Sequence, residues 1–181
     1  MSTNIKIESP DNSSVSYIYT DMLSKYPIAF DAVELGEEKI VVCMATKSTI
    51  RTHLIDKERS SLTVSHVLIN TLVEEYQEVL LHIKVAAIQR KGREMLSILA
   101  GGETGNTYLL PLSGDPNLAL HVLKGHYNSI TSICVFKTLD NRALTSSTDG
   151  SVILWDLSKG EVLYRFLDVS CRQLGINSIV S

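Results

Sequence analysis

With 44% hydrophobic and 20% charged residues, a chain of 181 residues is long enough to bury the core of a domain and is not composed like a disordered segment. A formal charge of −3 and a pI near 5.9 supply none of the basic excess by which proteins concentrate nucleic acid or an anionic membrane surface. The three cysteines, Cys43, Cys134 and Cys171, are odd in number and far apart, so they read as small apolar residues in a reducing compartment and not as a disulfide framework or a zinc site.

Residues 1–26 mix Ser, Asn, Asp and Pro with little periodicity and read mostly as a mobile lead. Within them Val15 to Thr20, β-branched and aromatic with partial alternation, predicts a short strand. No basic stretch followed by an apolar run marks a secretory leader, and without one the Asn12-Ser13-Ser14 sequon carries no weight. No run reaches the ~18 apolar residues of a membrane span; Val79 to Ile88 is interrupted by His82 and Lys84. The expected location is cytoplasmic or nuclear.

From Pro27 onward, short apolar runs alternate with turn residues, and no helical stripe persists. Ile28–Leu35, Lys39–Thr46, Ser48–Asp56 and Leu62–Ile69 predict one four-stranded antiparallel meander within residues 27–70. Thr71 to Gln77 breaks the rhythm and reads as a turn or two of helix. His82–Arg90, Glu94–Gly101, Thr107–Leu112 and Leu118–Leu123 give a second meander within 79–123. Ile130–Leu139, Arg142–Ser147, Ser151–Leu157 and Glu161–Leu167 give a third within 124–168, and 169–181 begin a fourth.

The units can be set in register. Leu99 to Leu112 lies on Leu144 to Leu157 without a gap, and the same offset of 45 sets Val85 on Ile130 and Ile88 on Ile133. Ile176-Asn177-Ser178-Ile179 then repeats Ile130-Thr131-Ser132-Ile133. The first unit matches only at a longer offset, Phe30 on Val85 and Val33 on Ile88. A period near 45 residues is the mark of a repeat architecture.

The stretch from Leu123 to Leu157, opened by Gly125-His126 and closed by Trp155-Asp156, resembles a WD repeat. The resemblance implies an all-β fold of WD-repeat β-propeller blades: about three four-stranded antiparallel blades plus the start of a fourth, an incomplete ring as it stands, with Val15 to Thr20 as a strand that completes a blade from the other terminus. It also implies a structural hydrogen-bond network of His126, Ser147, Asp149 and Trp155, in which a hydroxyl accepts the indole N–H and His126 joins that hydroxyl to the carboxylate. Thr145 lies on the same strand face two residues from Ser147, so either hydroxyl fits. Without a strained nucleophile elbow the Ser, His and Asp read as a clamp and not a catalytic triad. In the second unit Leu110, Thr104 and Gly102 stand where the Trp, Asp and Ser would be, which predicts a blade held by apolar packing alone. Replacing Asp149 or Trp155 is then expected to cost ~2 kcal/mol or more, and Thr104→Ala little.

The remaining candidates read blandly. His53, His66, His82 and His121 have no ligand spacing, so no metal is expected. Gly101-Gly102-Glu103-Thr104-Gly105 lacks the Lys-Ser/Thr of a phosphate loop and reads as a hairpin. Arg90, Lys91 and Arg93, the one basic cluster, read as a solvated turn. No constellation calls for a cofactor or an enzyme.

The resemblance implies a non-enzymatic scaffold that docks other proteins on loops at one end of the ring, offered here by Lys124, Tyr127, Asn128, Glu103, Thr104, Thr148 and Arg172. Membership of an RNA-processing or RNA-binding complex is one alternative, although the acidic balance disfavours direct contact with nucleic acid. A ubiquitin-ligase substrate receptor is another, but Ser158 stands where those receptors carry an Arg after the Trp-Asp.

Overall fold

The computed structural model describes residues 3–8, 14–19, 28–46, 49–56, 61–69, 78–90, 93–112, 121–136 and 141–167. Every element among them is a β-strand. β1 (Thr3–Glu8) and β2 (Ser14–Tyr19) pair as a two-stranded sheet of their own. The strand expected near Val15 is therefore present, but its partner is β1 and not a blade, and Thr3–Glu8 is a strand where a mobile lead is expected.

Three four-stranded antiparallel meanders follow. Blade 1 is β3 (Ala29–Leu35), β4 (Lys39–Thr46), β5 (Thr49–Asp56) and β6 (Ser61–Ile69). Blade 2 is β7 (Leu80–Arg90), β8 (Arg93–Gly102), β9 (Asn106–Pro111) and β10 (His121–Lys124). Blade 3 is β11 (Ile130–Val135), β12 (Arg142–Ser147), β13 (Ser151–Asp156) and β14 (Glu161–Leu167). Each begins and ends within a few residues of the apolar runs that predict it, because a period of two places one face of each strand in the core. Thr71 to Gln77 and the start of a fourth blade lie outside the described residues.

The first strands, β3, β7 and β11, lie side by side, so the sheets stack face to face around a common inner edge. Each blade thus has a leading face toward its predecessor and a trailing face toward its successor. Val41, Cys43, Ala45 and Ile50 of blade 1 pack on Leu80, Ile83, Ile98, Ala100, Tyr108 and Leu110 of blade 2. Ala86, Ile88, Leu99, Leu109 and Leu123 of blade 2 pack on Ile130, Ile133, Ala143, Ile153, Trp155 and Leu157 of blade 3. Side-chain hydrogen bonds to backbone fix the stacking at two further points. The Asp31 carboxylate accepts from Val85 N at 2.8 Å and pairs with Lys84 at 3.1 Å, and Asn141 exchanges two bonds with the backbone of Gln89 at 2.6 and 2.7 Å.

Pairing confirms the gapless match of the second and third strands: Ala100 faces Tyr108 as Thr145 faces Ile153. The first strands are in a different register. Leu80 lies opposite Gly102 as Ile130 lies opposite Ser147, and Ile83 lies opposite Ala100 as Ile133 lies opposite Thr145. Leu80 and Ile83, not Val85 and Ile88, are thus the counterparts of Ile130 and Ile133. Between equivalent pairs the β7–β8 hairpin is five residues longer than the β11–β12 hairpin, 83 to 100 against 133 to 145, and the first strands slide to keep the faces matched.

Candidate functional site

Loop 125–129 carries the chain from the outer strand of blade 2 to the inner strand of blade 3. Gly125 opens it because a Cβ there would sit 2.8 Å from the Trp155 ring and 2.9 Å from Ile153. His126 then turns inward and is 7% exposed. Trp155, 1% exposed, donates its indole N–H to Thr145 Oγ1 at 2.7 Å, and His126 Nε2 lies 2.8 Å from the same oxygen. Across the imidazole, Nδ1 faces Ser151 Oγ at 2.9 Å and Asp149 Oδ2 at 3.2 Å.

With one hydrogen on Nδ1 the network closes. Trp155 donates to Thr145, the Thr145 hydroxyl donates to Nε2, and Nδ1–H donates to Ser151 and Asp149, so none of these five side chains is idle. Burial lowers the His126 pKa, the Asp149 charge offsetting only part of the effect, so the neutral ring is the stable form. Burial pushes Asp149 up, but hydrogen bonds from the Ser151 hydroxyl and from the Tyr127 and Ser151 amides outweigh it and hold the carboxylate below its ordinary range.

The clamp hydroxyl is Thr145 and not Ser147. Ser147 donates instead to Asn128 O at 2.7 Å and accepts from Asp149 N at 3.1 Å, which ties the β12–β13 turn to loop 125–129. Both residues face the same way, and Thr145 wins because the indole reaches one residue pair deeper into the sheet: Trp155 lies opposite Ala143. A Ser147–His126–Asp149 relay is not assembled, since the Ser147 hydroxyl meets a backbone carbonyl and not the imidazole. Ser151 was legible as the residue two after Asp149 across an Asp-Gly turn. Arg165, whose guanidinium donates to Gly125 O and to Ser151, had no signal in the sequence.

Blade 2 departs from the expectation of apolar packing alone. Glu78, 1% exposed and two residues before β7, accepts from Thr104 N at 2.7 Å, Tyr108 Oη at 2.8 Å and Asn106 Nδ2 at 3.2 Å, and from the Thr104 hydroxyl. Gly102 is required beneath it, because a Cβ there would meet the carboxylate at 2.1 Å. Thr104-Gly105-Asn106 occupies the place of Asp149-Gly150-Ser151, and both glycines have positive φ, 91° and 79°. A carboxylate supplied by the incoming loop thus replaces one supplied by the turn. The aligned turn was the available signal; an acid before the first strand, in place of Gly-His, was the other half of it.

The candidate docking residues gather at one end. Gly105 packs against the backbone of His126 and Asn128, Ser129 Oγ donates to Glu103 O at 2.9 Å, and Thr148 N donates to Ser129 O at 3.0 Å. Glu103, Thr104, Tyr127, Asn128 and Thr148 therefore share one surface, reached at its outer side by Lys124. Tyr127 is 86% exposed, with the Arg165 guanidinium 5.6 Å from its ring centre. Thr104 is exposed, yet its hydroxyl is committed to Glu78. Arg172 lies outside the described residues.

Among the described residues, no three His, Cys, Asp or Glu side chains are grouped to hold a metal ion. Cys43 and Cys134 are buried thiols, and burial, helped by Asp31, pushes Cys43 up to about 12. Among the described residues no helix is long and apolar enough to cross a membrane.

No protein-family profile matches the chain. Among solved structures it superposes on the C-terminal WD40 domain of Sif2 with a TM-score of 0.50 at 21% identity, covering 77% of this chain and 36% of that one. The sheets are propeller blades. Two computationally designed proteins are also similar: Ika8, with a TM-score of 0.48 at 17% identity over 77% of this chain and 36% of that one, and Ika4, at 0.47 and 16% over 78% and 72%. At these identities the likeness is one of fold, and the chain spans about a third of the Sif2 domain.

Proposed function

We propose that these blades form a non-enzymatic WD-type scaffold, cytoplasmic or nuclear, which docks another protein on the end formed by Glu103, Thr104, Lys124, Tyr127, Asn128 and Thr148. One observation carries the reading. Tyr127 projects into solvent from a tied loop: its own amide donates to Asp149 at 2.9 Å, and Arg165 lies over its ring. An exposed aromatic ring held in place has little conformational entropy left to lose on binding, which is what an interface anchor needs.

The surface around it is mixed in charge, as suits a protein partner better than a phosphate backbone. Blades and their clamps serve this reading by holding the loops. Affinity capture with the 181-residue chain tests it: Tyr127→Ala should lose a partner that the wild type and Arg142→Ala, altered at an exposed residue away from these loops, both retain. The same partners on all three proteins would refute the reading. Salt-sensitive binding of RNA to the purified chain would favour membership of an RNA complex through direct contact.

A further inference from the structure

Asparagine is thermolabile because the backbone nitrogen that follows it can attack its own side-chain carbonyl carbon, and a small following residue leaves that nitrogen open. Three asparagines have described side chains, Asn106, Asn128 and Asn141, and they precede Thr107, Ser129 and Arg142. Two of them are locked. Asn106 lies in β9, and its side-chain amide donates to Glu78 at 3.2 Å and to Thr104 at 2.9 Å. Asn141 exchanges both of its side-chain bonds with the backbone of Gln89.

Asn128 differs on each count. It is exposed, it stands in loop 125–129 outside any strand, and its Nδ2 holds no bond among the described residues. Its Oδ1 accepts instead from the Ser129 amide at 2.8 Å. With a C=O bond of about 1.23 Å, that contact holds Asn128 Cγ within about 4 Å of Ser129 N, and these are the two atoms that must join. The loop keeps them there, because the Asn128 carbonyl accepts from Ser147 and the Ser129 hydroxyl donates to Glu103 O.

We propose that Asn128-Ser129 is a site of spontaneous deamidation, a chemical clock set in the loop that carries Tyr127. The Ser129 nitrogen gives up its proton to water as it bonds to Asn128 Cγ, the Cγ–Nδ2 bond breaks, ammonia leaves and a succinimide ring closes. Water then opens the ring. Attack at Cγ gives aspartate; attack at the main-chain carbonyl gives isoaspartate, in which the chain runs through Cβ and Cγ. Either product places a new carboxylate beside Tyr127. Isoaspartate also converts the carbonyl that Ser147 holds into that carboxylate, which unties the loop from the β12–β13 turn. The reaction needs no partner, whereas its effect on docking rests on the function proposed above.

Peptide mapping by mass spectrometry tests the site on the 181-residue chain, aged at mildly alkaline pH and physiological temperature, folded and in urea. In the folded chain Asn128 should convert several-fold faster than Asn106 and Asn141, with isoaspartate among its products. In urea that lead should narrow as the other two are released. An Asn128 no faster than they are when folded would overturn the proposal, and so would a lead just as large in urea. In the capture assay, aged chain should lose the partner that fresh chain retains. Equal capture by fresh and aged chain would overturn the clock, while fresh chain that captures nothing would count against the docking reading alone.

Discussion

Blades 2 and 3 solve one problem with different chemistry. Each must bring the chain from an outer strand to the next inner strand and pin it to the turn between its second and third strands. In blade 3 the turn supplies the acid, Asp149, and the loop supplies His126, which carries the connection down to Trp155 through Thr145. In blade 2 the incoming segment supplies the acid, Glu78, and turn and strand supply the donors, Thr104, Asn106 and Tyr108. What the fold requires is a satisfied polar tie at that place; which side carries the charge is free.

The largest effect should come from Trp155→Ala. Its ring fills the interface between the blades, so loss of about 3–5 kcal/mol in urea unfolding followed by circular dichroism is expected, as for other buried aromatic deletions. Glu78→Ala comes next, at about 2–3 kcal/mol, since it takes the acceptor from the buried Tyr108 hydroxyl and unties the Thr104 turn. Thr104→Ala, against the expectation from sequence alone, should cost about 1 kcal/mol through its lost bond to that carboxylate. A neutral Glu78→Ala would restore the view that blade 2 is held by apolar packing.

Thr145→Val and Ser147→Ala sharpen the comparison within blade 3. Thr145→Val keeps the shape but leaves the Trp155 N–H and His126 Nε2 without a partner, so about 2 kcal/mol is expected, with a shifted emission from the single tryptophan. Ser147→Ala should cost about 1 kcal/mol and leave the emission unchanged. The reverse order would return the clamp to Ser147.

The smallest effect is one of pH. His126 and Asp149 both titrate lower in the folded chain than in the unfolded one, so the unfolded chain binds more protons and stability rises with pH. Their contribution is whole above the ordinary histidine value of 6.5 and declines as the pH falls, first through His126 and then, below the ordinary aspartate value of 3.8, through Asp149. Urea midpoints at a series of pH values between 7 and 4 should fall in wild type and fall less in His126→Gln, in which His82, also lowered by burial, still titrates; an equal slope in both would place the titration elsewhere.

Strand positions, hairpin turns and the one recognisable motif follow from the sequence by itself, because period two, turn glycines and a Trp-Asp pair are local facts. The gapless match of Leu99–Leu112 with Leu144–Leu157 already held the aligned turns of both clamps. Three things were decided only in three dimensions. The slide of β7, the choice of Thr145 over Ser147 and the recruitment of Glu78 each depend on which strand lies opposite which, and at what depth. A hydroxyl two residues away along a strand looks equivalent on paper; the reach of an indole settles it. An acid ahead of a strand looks like a solvated loop residue until the turn that folds over it brings a hydroxyl, an amide and a phenol to the same carboxylate.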